Sequence, residues 1–254
     1  MKVGINSMAV KEFNPVGFVS ASEIRLIELS LAEVDFIRFD IVSRAKEIAE
    51  MFGIEYTVHA PFQNSAVEHL RIKLSETRPE NVKIMERVFE VCRELEAERI
   101  VVHAGDLIDN VEKSLKNVVK NLKEICKIGR DFEIALENLY TENGVRRVCE
   151  TPDEIILVLE NVNAENLCVT LDIGHAFITQ RQRGIPIEEF FEKLDGYIKH
   201  MHVHNNYGIR DEHNPLNRGL IDFSGLKVKT DTAILEVKNG SREEIFRSLT
   251  KIIS

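Results

Sequence analysis

The sequence predicts an α/β fold, a single (β/α)₈ or TIM barrel occupying residues 1–254 as one domain. Eight short apolar runs read as strands, helical patterns separate most of them, and many runs end in His, Asp or Glu. Parallel strands closed into a barrel would bring those ends to one face, where residues distant in sequence meet.

The strands, in order, are Val3 to Asn6, Ile24 to Leu29, Ile54 to His59, Arg99 to His103, Phe132 to Glu137, Leu167 to Asp172, Ile198 to His202 and Ala233 to Val237. Helices are read from three-and-four spacing. Asn81 to Glu96 places Val82, Met85, Val88, Phe89 and Cys92 on one face, and Val111 to Ile128 repeats Leu115, Val118, Leu122, Ile125 and Cys126. Shorter helices are predicted over Ser43 to Phe52, Pro152 to Glu160, Pro186 to Leu194 and Arg242 to Ile253, with Thr151-Pro152 and Ser241 as starts. The first crossover, Ser7 to Glu23, is the least helix-like, and its Asn14-Pro15 and Gly17 suggest an active-site loop. The long polar loop Asn205 to Ser224 contains Asp211-Glu212-His213 and is taken as part of the site.

A net charge of −9 argues against a broad nucleic-acid footprint. Cys92, Cys126, Cys149 and Cys168 include no Cys-x-x-Cys pair, which fits a reduced compartment and offers no thiolate metal site. No run approaches a membrane span and no signal peptide is apparent, so a cytoplasmic protein without membrane association is expected. Walker loops, dinucleotide fingerprints and Gly-x-Ser-x-Gly elbows are absent.

Carboxylates and imidazoles without thiolates suit Zn, Mn, Co or Fe, and carboxylate-rich sets also admit Mg. Glu137, Asp172, His202 and Glu236 end consecutive strands and can close on one divalent ion. His59, His103 and Glu137 can hold a second; singly, each histidine reads equally as a hydrogen-bonded structural residue. Asp211 and His213, one residue apart, point the same way in an extended segment and can chelate a third ion, unless the loop is simply solvated. One to three ions are therefore expected. In His200-Met201-His202-Val203-His204 alternation puts all three imidazoles on one side, and register favours His202 as the ligand. His175 stands above the sixth strand as a ligand, a substrate donor or a helix cap. Phe62 and Tyr140 either cover a sugar ring or nucleotide or pack ordinarily, while Arg181-Gln182-Arg183 reads as a phosphate contact or a solvated helix start.

Taken together, His59-Ala60-Pro61, His103-Ala104-Gly105, Glu137-Asn138, Asp172-Ile173-Gly174-His175, His202-Val203-His204, Asp211-Glu212-His213 and Glu236 resemble the xylose isomerase-like barrel superfamily. That superfamily holds sugar isomerases and epimerases together with the endonuclease IV group, AP endonuclease family 2. The epimerase resemblance implies one metal on Glu137, Asp172, His202 and Glu236, with Glu137 and Glu236 as the acid-base pair and His175 as a catalytic substrate contact. The endonuclease IV resemblance implies three zinc ions on those positions plus His59, His103, His175, Asp211 and His213. The Asp-Ile-Gly-His motif and the seventh-strand region are more similar to the sugar branch, and the chain is short for elaborated DNA-binding loops. One position departs from the pattern: Asn217 stands where relatives usually carry the first glycine of a Gly-x-Gly turn.

The expected function is a divalent-metal-dependent sugar or sugar-phosphate isomerase or epimerase acting on a small-molecule sugar. The alternative is a zinc phosphodiesterase at abasic DNA, the only reading with a nucleic-acid partner. A non-catalytic sugar- or metal-binding barrel is the third.

Overall fold

The computed structural model describes residues 1–7, 24–37, 40–224, 230–238 and 240–253. Eight parallel strands close into a barrel in sequence order: β1 (Lys2–Asn6), β2 (Leu26–Ser30), β3 (Glu55–His59), β4 (Arg99–His103), β5 (Glu133–Glu137), β6 (Leu167–Asp172), β7 (Ile198–Val203) and β8 (Thr232–Leu235). The predicted crossover loop with Asn14-Pro15 and Gly17 lies outside the described residues. Every predicted strand is present; β4 and β6 have the predicted bounds, and the other six are shifted by one or two residues at one or both ends. Glu236 and Val237 lie just past β8, although the Glu236 amide still donates to the Val203 carbonyl at 3.1 Å, which continues the ladder by one step.

The described helices are α1 (Ile41–Phe52), α2 (Pro79–Leu95), α3 (Val111–Ile128), α4 (Pro152–Val162), α5 (Ile173–Arg183), α6 (Ile187–Lys193) and α7 (Arg242–Ile253). Their starts follow capping chemistry. Asn110 accepts from the Lys113 amide at 2.9 Å and Thr151 from the Glu154 amide at 3.3 Å. Ser241 and Glu244 form a reciprocal capping box. The apolar faces of α2 and α3 bury Val88, Phe89, Cys92, Leu122 and Ile125 against the outside of the barrel, where Phe89 stacks on Phe132 at 5.1 Å. All four cysteines are free and buried. Among the described residues no helix is long and apolar enough to cross a membrane.

Helix α5 has no counterpart in the sequence reading because no loop precedes it. Asp172 ends β6 and also caps α5, its carboxylate accepting from the His175 amide at 2.7 Å. The cap is therefore Asp172, and the alternative of His175 as cap is corrected. Arg181, Gln182 and Arg183 form the last turn of α5 rather than a helix start. Arg183 pairs with the buried carboxylate of Glu150, and Gln182 donates to the Thr141 carbonyl at 2.8 Å. Two of the three side chains are thus engaged in structural bonds.

The loop after β7 is tied by Asn205. Its side-chain amide donates to the carbonyls of Leu216 at 2.9 Å and Ile221 at 3.3 Å, and its side-chain oxygen accepts from the amides of Asn206 at 2.9 Å and Ile221 at 3.0 Å. Gly219 (φ 153°) fits beneath this knot: a Cβ there would sit 2.1 Å from Asn205 Oδ1. The second glycine of the departed Gly-x-Gly pattern is thus the sterically required one, and Asn217 leaves that contact untouched. Asn205→Ala is expected to lose about 1–3 kcal/mol of loop stability by orphaning these backbone groups. Hydrogen exchange should accelerate at Asn206 and Ile221, with little change on the barrel strands.

Candidate metal centre

Alternation along each strand turns one side chain in two toward the barrel axis. On β2 this selects Glu28, fully buried, which reaches across the barrel to His200 at 3.0 Å and to His202 at 3.0 Å. Higher up, the inward positions end in Asn6, His59, His103, Glu137, Asp172, His202 and Glu236. Seven of the chain's eight histidines gather on this inner column and its mouth: 59, 103, 175, 200, 202, 204 and 213. His69 is the exception, outside and largely exposed.

All nine sequence-predicted candidates converge at the C-terminal mouth, and each is buried except Asp211, which retains 16% side-chain exposure. His202 Nδ1 lies 3.5 Å from Glu236, 3.6 Å from Glu137 and 3.8 Å from Asp172, one nitrogen facing three carboxylates. Glu137 Oε2 is also 3.3 Å from His59 Nε2 and 3.0 Å from His103 Nε2. Asp211 Oδ2 is 2.6 Å from His213 Nε2 and 3.3 Å from His175 Nε2. Glu137, Asp172 and His202 form one group able to hold a divalent ion, and His59, His103 and Glu137 form another.

Hydrogen bonding orients several of these imidazoles. His59, His175 and His213 direct Nδ1 at the backbone carbonyls of Ala60 (2.9 Å), Asn138 (2.9 Å) and Glu236 (2.8 Å). A carbonyl only accepts, so Nδ1 carries the proton and Nε2 is left to face a carboxylate, as metal-bound histidines require. His202 Nδ1 and His103 Nδ1 are buried with no hydrogen-bond partner. The donor set thus fits a divalent ion: oxygen and nitrogen groups, some oriented and some orphaned, crowded around one mouth.

Two expectations change. Asp211 and His213 do not converge through an extended strand, because His213 adopts φ 48° and the Glu212 amide folds back to the Arg210 carbonyl. A tight turn aims the two side chains together. His204, passed over because register favours His202, is fully buried and lies 3.2 Å from Asp172 and 3.3 Å from Asp211. Gly174 makes room for it: a Cβ at 174 would fall 1.9 Å from the His204 ring. Glu28, His200, His204 and Asn6 were missed as members of the site. A glutamate inside Leu26-Ile27-Glu28-Leu29 was the available signal, since a lone acid amid strand apolars needs a buried partner.

Charge follows the same geometry. Burial opposes a charge on His202, but the carboxylates of Glu236, Glu28 and Glu137 outweigh it and hold the imidazole well above its ordinary range. Burial likewise opposes the charge on His175, and Asp172 and Asp211 raise it well above normal. Burial lowers His103 to about 4, which keeps it neutral. Burial penalises the Glu137 carboxylate, and the hydrogen bond from His103 Nε2 at 3.0 Å together with the charge on His202 more than offsets that, leaving it well below the usual carboxylate range.

A cavity of ≈ 290 Å³ opens above the cluster, lined among others by His59, Phe62, His103, Tyr140, His175 and Lys238. Phe62 stacks on His103 at 4.6 Å, while Tyr140 is buried 4.8 Å from His175 with its hydroxyl 3.1 Å from Glu142. A larger cavity of ≈ 550 Å³ lies at the opposite end around Lys2, Arg99, Glu133 and Asp231. Size does not decide between them, since barrel chemistry sits at the C-terminal ends of the strands, where the imidazoles are.

The model of the xylose isomerase-like TIM barrel family matches residues 18–229. The chain belongs to that family. Within it, an uncharacterized protein of Methanocaldococcus jannaschii is 32% identical over 246 residues, covering 88% of this chain and 77% of its own length. A crystal structure of a D-tagatose 3-epimerase-like protein is 25% identical, covers 100% of this chain and 98% of that one, and superposes with a TM-score of 0.77. A probable endonuclease 4 of Thermotoga petrophila is 22% identical over 224 residues, covering 80% of this chain and 77% of its own length. The similar proteins thus include one named as epimerase-like and one named as a probable endonuclease 4.

Because His202 and His175 are held protonated, a divalent ion must displace protons to bind. Raised histidine pKa values mean stronger proton competition as pH falls, so apparent affinity should drop with decreasing pH. Calorimetric titration with Zn or Co in buffers of different ionisation heat should register net proton release.

Proposed function

We propose that this chain is a divalent-metal-dependent isomerase or epimerase of a sugar or sugar phosphate. The observation that carries the reading is that Glu137 and Glu236 reach the same His202 nitrogen, at 3.6 and 3.5 Å, from β5 and from just beyond β8. Two carboxylates so placed below a small cavity suit proton removal from a substrate carbon on one side and return on the other. Glu137, Asp172, His202 and Glu236 would hold the ion. When bound, it supplies Lewis-acid polarisation of a substrate carbonyl or hydroxyl.

The chain's own groups do the rest. Asn6 donates to Glu236 Oε1 at 2.6 Å and fixes that oxygen, while Oε2 lies 3.5 Å from His202 Nδ1. Glu137 is ionised and able to accept a proton. His175, with its Nδ1 3.1 Å from Glu137 and anchored on Asn138, orients a hydroxyl, and Phe62 walls the cavity. At ≈ 290 Å³ the cavity lies at the small end of ligand pockets, nearer a monosaccharide than a duplex.

The phosphodiesterase reading is favoured by one observation: the additional positions His59, His103, His175, Asp211 and His213 converge as well. An abasic-duplex incision assay addresses it directly. Under the sugar reading, ketopentoses or ketohexoses, free or phosphorylated, incubated with Mn, Co or Mg in heavy water yield an epimer or aldose carrying deuterium at the exchanged carbon. Glu137→Gln and Glu236→Gln each lower kcat by about 10²–10⁴-fold. Incision of abasic DNA without sugar turnover overturns the proposal, and sugar binding without turnover supports the non-catalytic barrel.

A further inference from the structure

Beneath the mouth runs a continuous line of buried polar groups that the proposed chemistry does not use. At the lower end of the barrel Arg99 Nη1 donates to Thr232 Oγ1 at 2.5 Å. Thr232 Oγ1 is in turn 2.5 Å from His200 Nδ1. On its other side the His200 ring places Nε2 3.0 Å from Glu28 Oε2, and Glu28 Oε1 is 3.0 Å from His202 Nε2. His200, Glu28 and His202 are all fully buried. The line ends at His202 Nδ1, the partnerless nitrogen facing Glu137, Asp172 and Glu236.

Direction along this line is fixed by its members. A guanidinium only donates, so Thr232 Oγ1 accepts from Arg99, and the Glu28 carboxylate only accepts, so His200 presents Nε2–H to it. In the neutral ring Nδ1 then accepts the Thr232 hydroxyl proton. A carboxylate only accepts, so His202 also presents Nε2–H to Glu28. Asn6 Nδ2 supplies a further donor to Glu28 at 3.0 Å, and Thr57 Oγ1 another at 3.4 Å. Glu28 thus stands as a buried anion ringed by donors, the arrangement that makes such burial tolerable.

We infer that Glu28 is a positioning residue that fixes His202 with its proton on Nε2 and its Nδ1 directed into the carboxylate cluster, so that a divalent ion is ligated through Nδ1. His200 and Thr232 hold Glu28 in the rotamer that does this. The inference rests on the metal-centre reading and extends it below the ligand shell. It gives β2 and the lower barrel, which supply none of the nine positions at the mouth, a part in orienting one of them. Outer partners of this type typically govern metal affinity about 10–100-fold.

The test uses the full chain labelled with ¹⁵N-histidine and loaded with ¹¹³Cd. The expected spectrum has cadmium coupled to His202 Nδ1, with a slowly exchanging proton on Nε2. In parallel, Glu28→Gln leaves one carbonyl-type oxygen where two N–H donors require acceptors. Its affinity for Zn or Co, measured by chelator competition, should fall about 10–100-fold, while its thermal midpoint in EDTA shows whether the barrel is intact. Coupling at Nε2, or an intact Glu28→Gln protein whose affinity is unchanged, overturns the role of Glu28 and leaves the metal centre standing. No coupling to either nitrogen of His202 overturns this inference, and no coupling to any histidine of the mouth overturns the metal centre with it. Should Glu28→Gln fail to fold, the wild-type spectrum decides alone.

Discussion

Gathering Glu137, Asp172, Asp211 and Glu236 at one end of a barrel, with Glu28 directly beneath them and all but Asp211 almost wholly buried, is the constraint on which this structure turns. Isolated buried carboxylates are costly, and such groups persist only when paired, hydrogen-bonded or metal-bound. Imidazoles meet that requirement here. They surround the acids closely, and His202 and His175 are held protonated as a result. The same cluster is therefore self-neutralised when protons occupy it and arranged to exchange those protons for a cation.

Much of the remaining architecture serves orientation. Backbone carbonyls of Ala60, Asn138 and Glu236 lock three imidazoles, the carboxylate of Glu28 locks His200 and His202, and Asn205 ties down the loop that carries Asp211 and His213. Asn138 has a double part, since its side chain also accepts from the Asp172 amide at 2.7 Å and donates to the Asp172 carbonyl at 3.0 Å. Close backbone approach matters as well: Gly174 leaves the space that His204 fills. Strand ends, loop and lower barrel thus act on the same few side chains.

The barrel was legible in the sequence because strand length, helix periodicity and the polar residue ending each strand repeat along the chain. The nine candidate positions were singled out on related grounds: seven end or closely follow a strand, and Asp211 and His213 lie in the long polar loop after β7. What escaped is instructive physically. Helix α5 begins without a loop because Asp172 is at once strand end and cap, and no punctuation marks that boundary. Period-two reasoning put His204 on the same side as His202, but register favoured His202 alone, and the space that Gly174 leaves beside the His204 ring could not be read from the sequence. Glu28 sits within a strand, and its partners on β7 are 172 and 174 residues away, a separation that only barrel closure removes.

If these groups form a metal centre, the ion belongs to the protein as isolated and need not be imposed on it. Elemental analysis of the chain purified without chelator or added metal measures this most directly. The account predicts at least one divalent ion per chain, its removal by chelator lowering the thermal midpoint and its return restoring it. A chain that is metal-free as purified, takes up no Zn, Mn, Co or Mg on dialysis, and melts identically with and without chelator would contradict it.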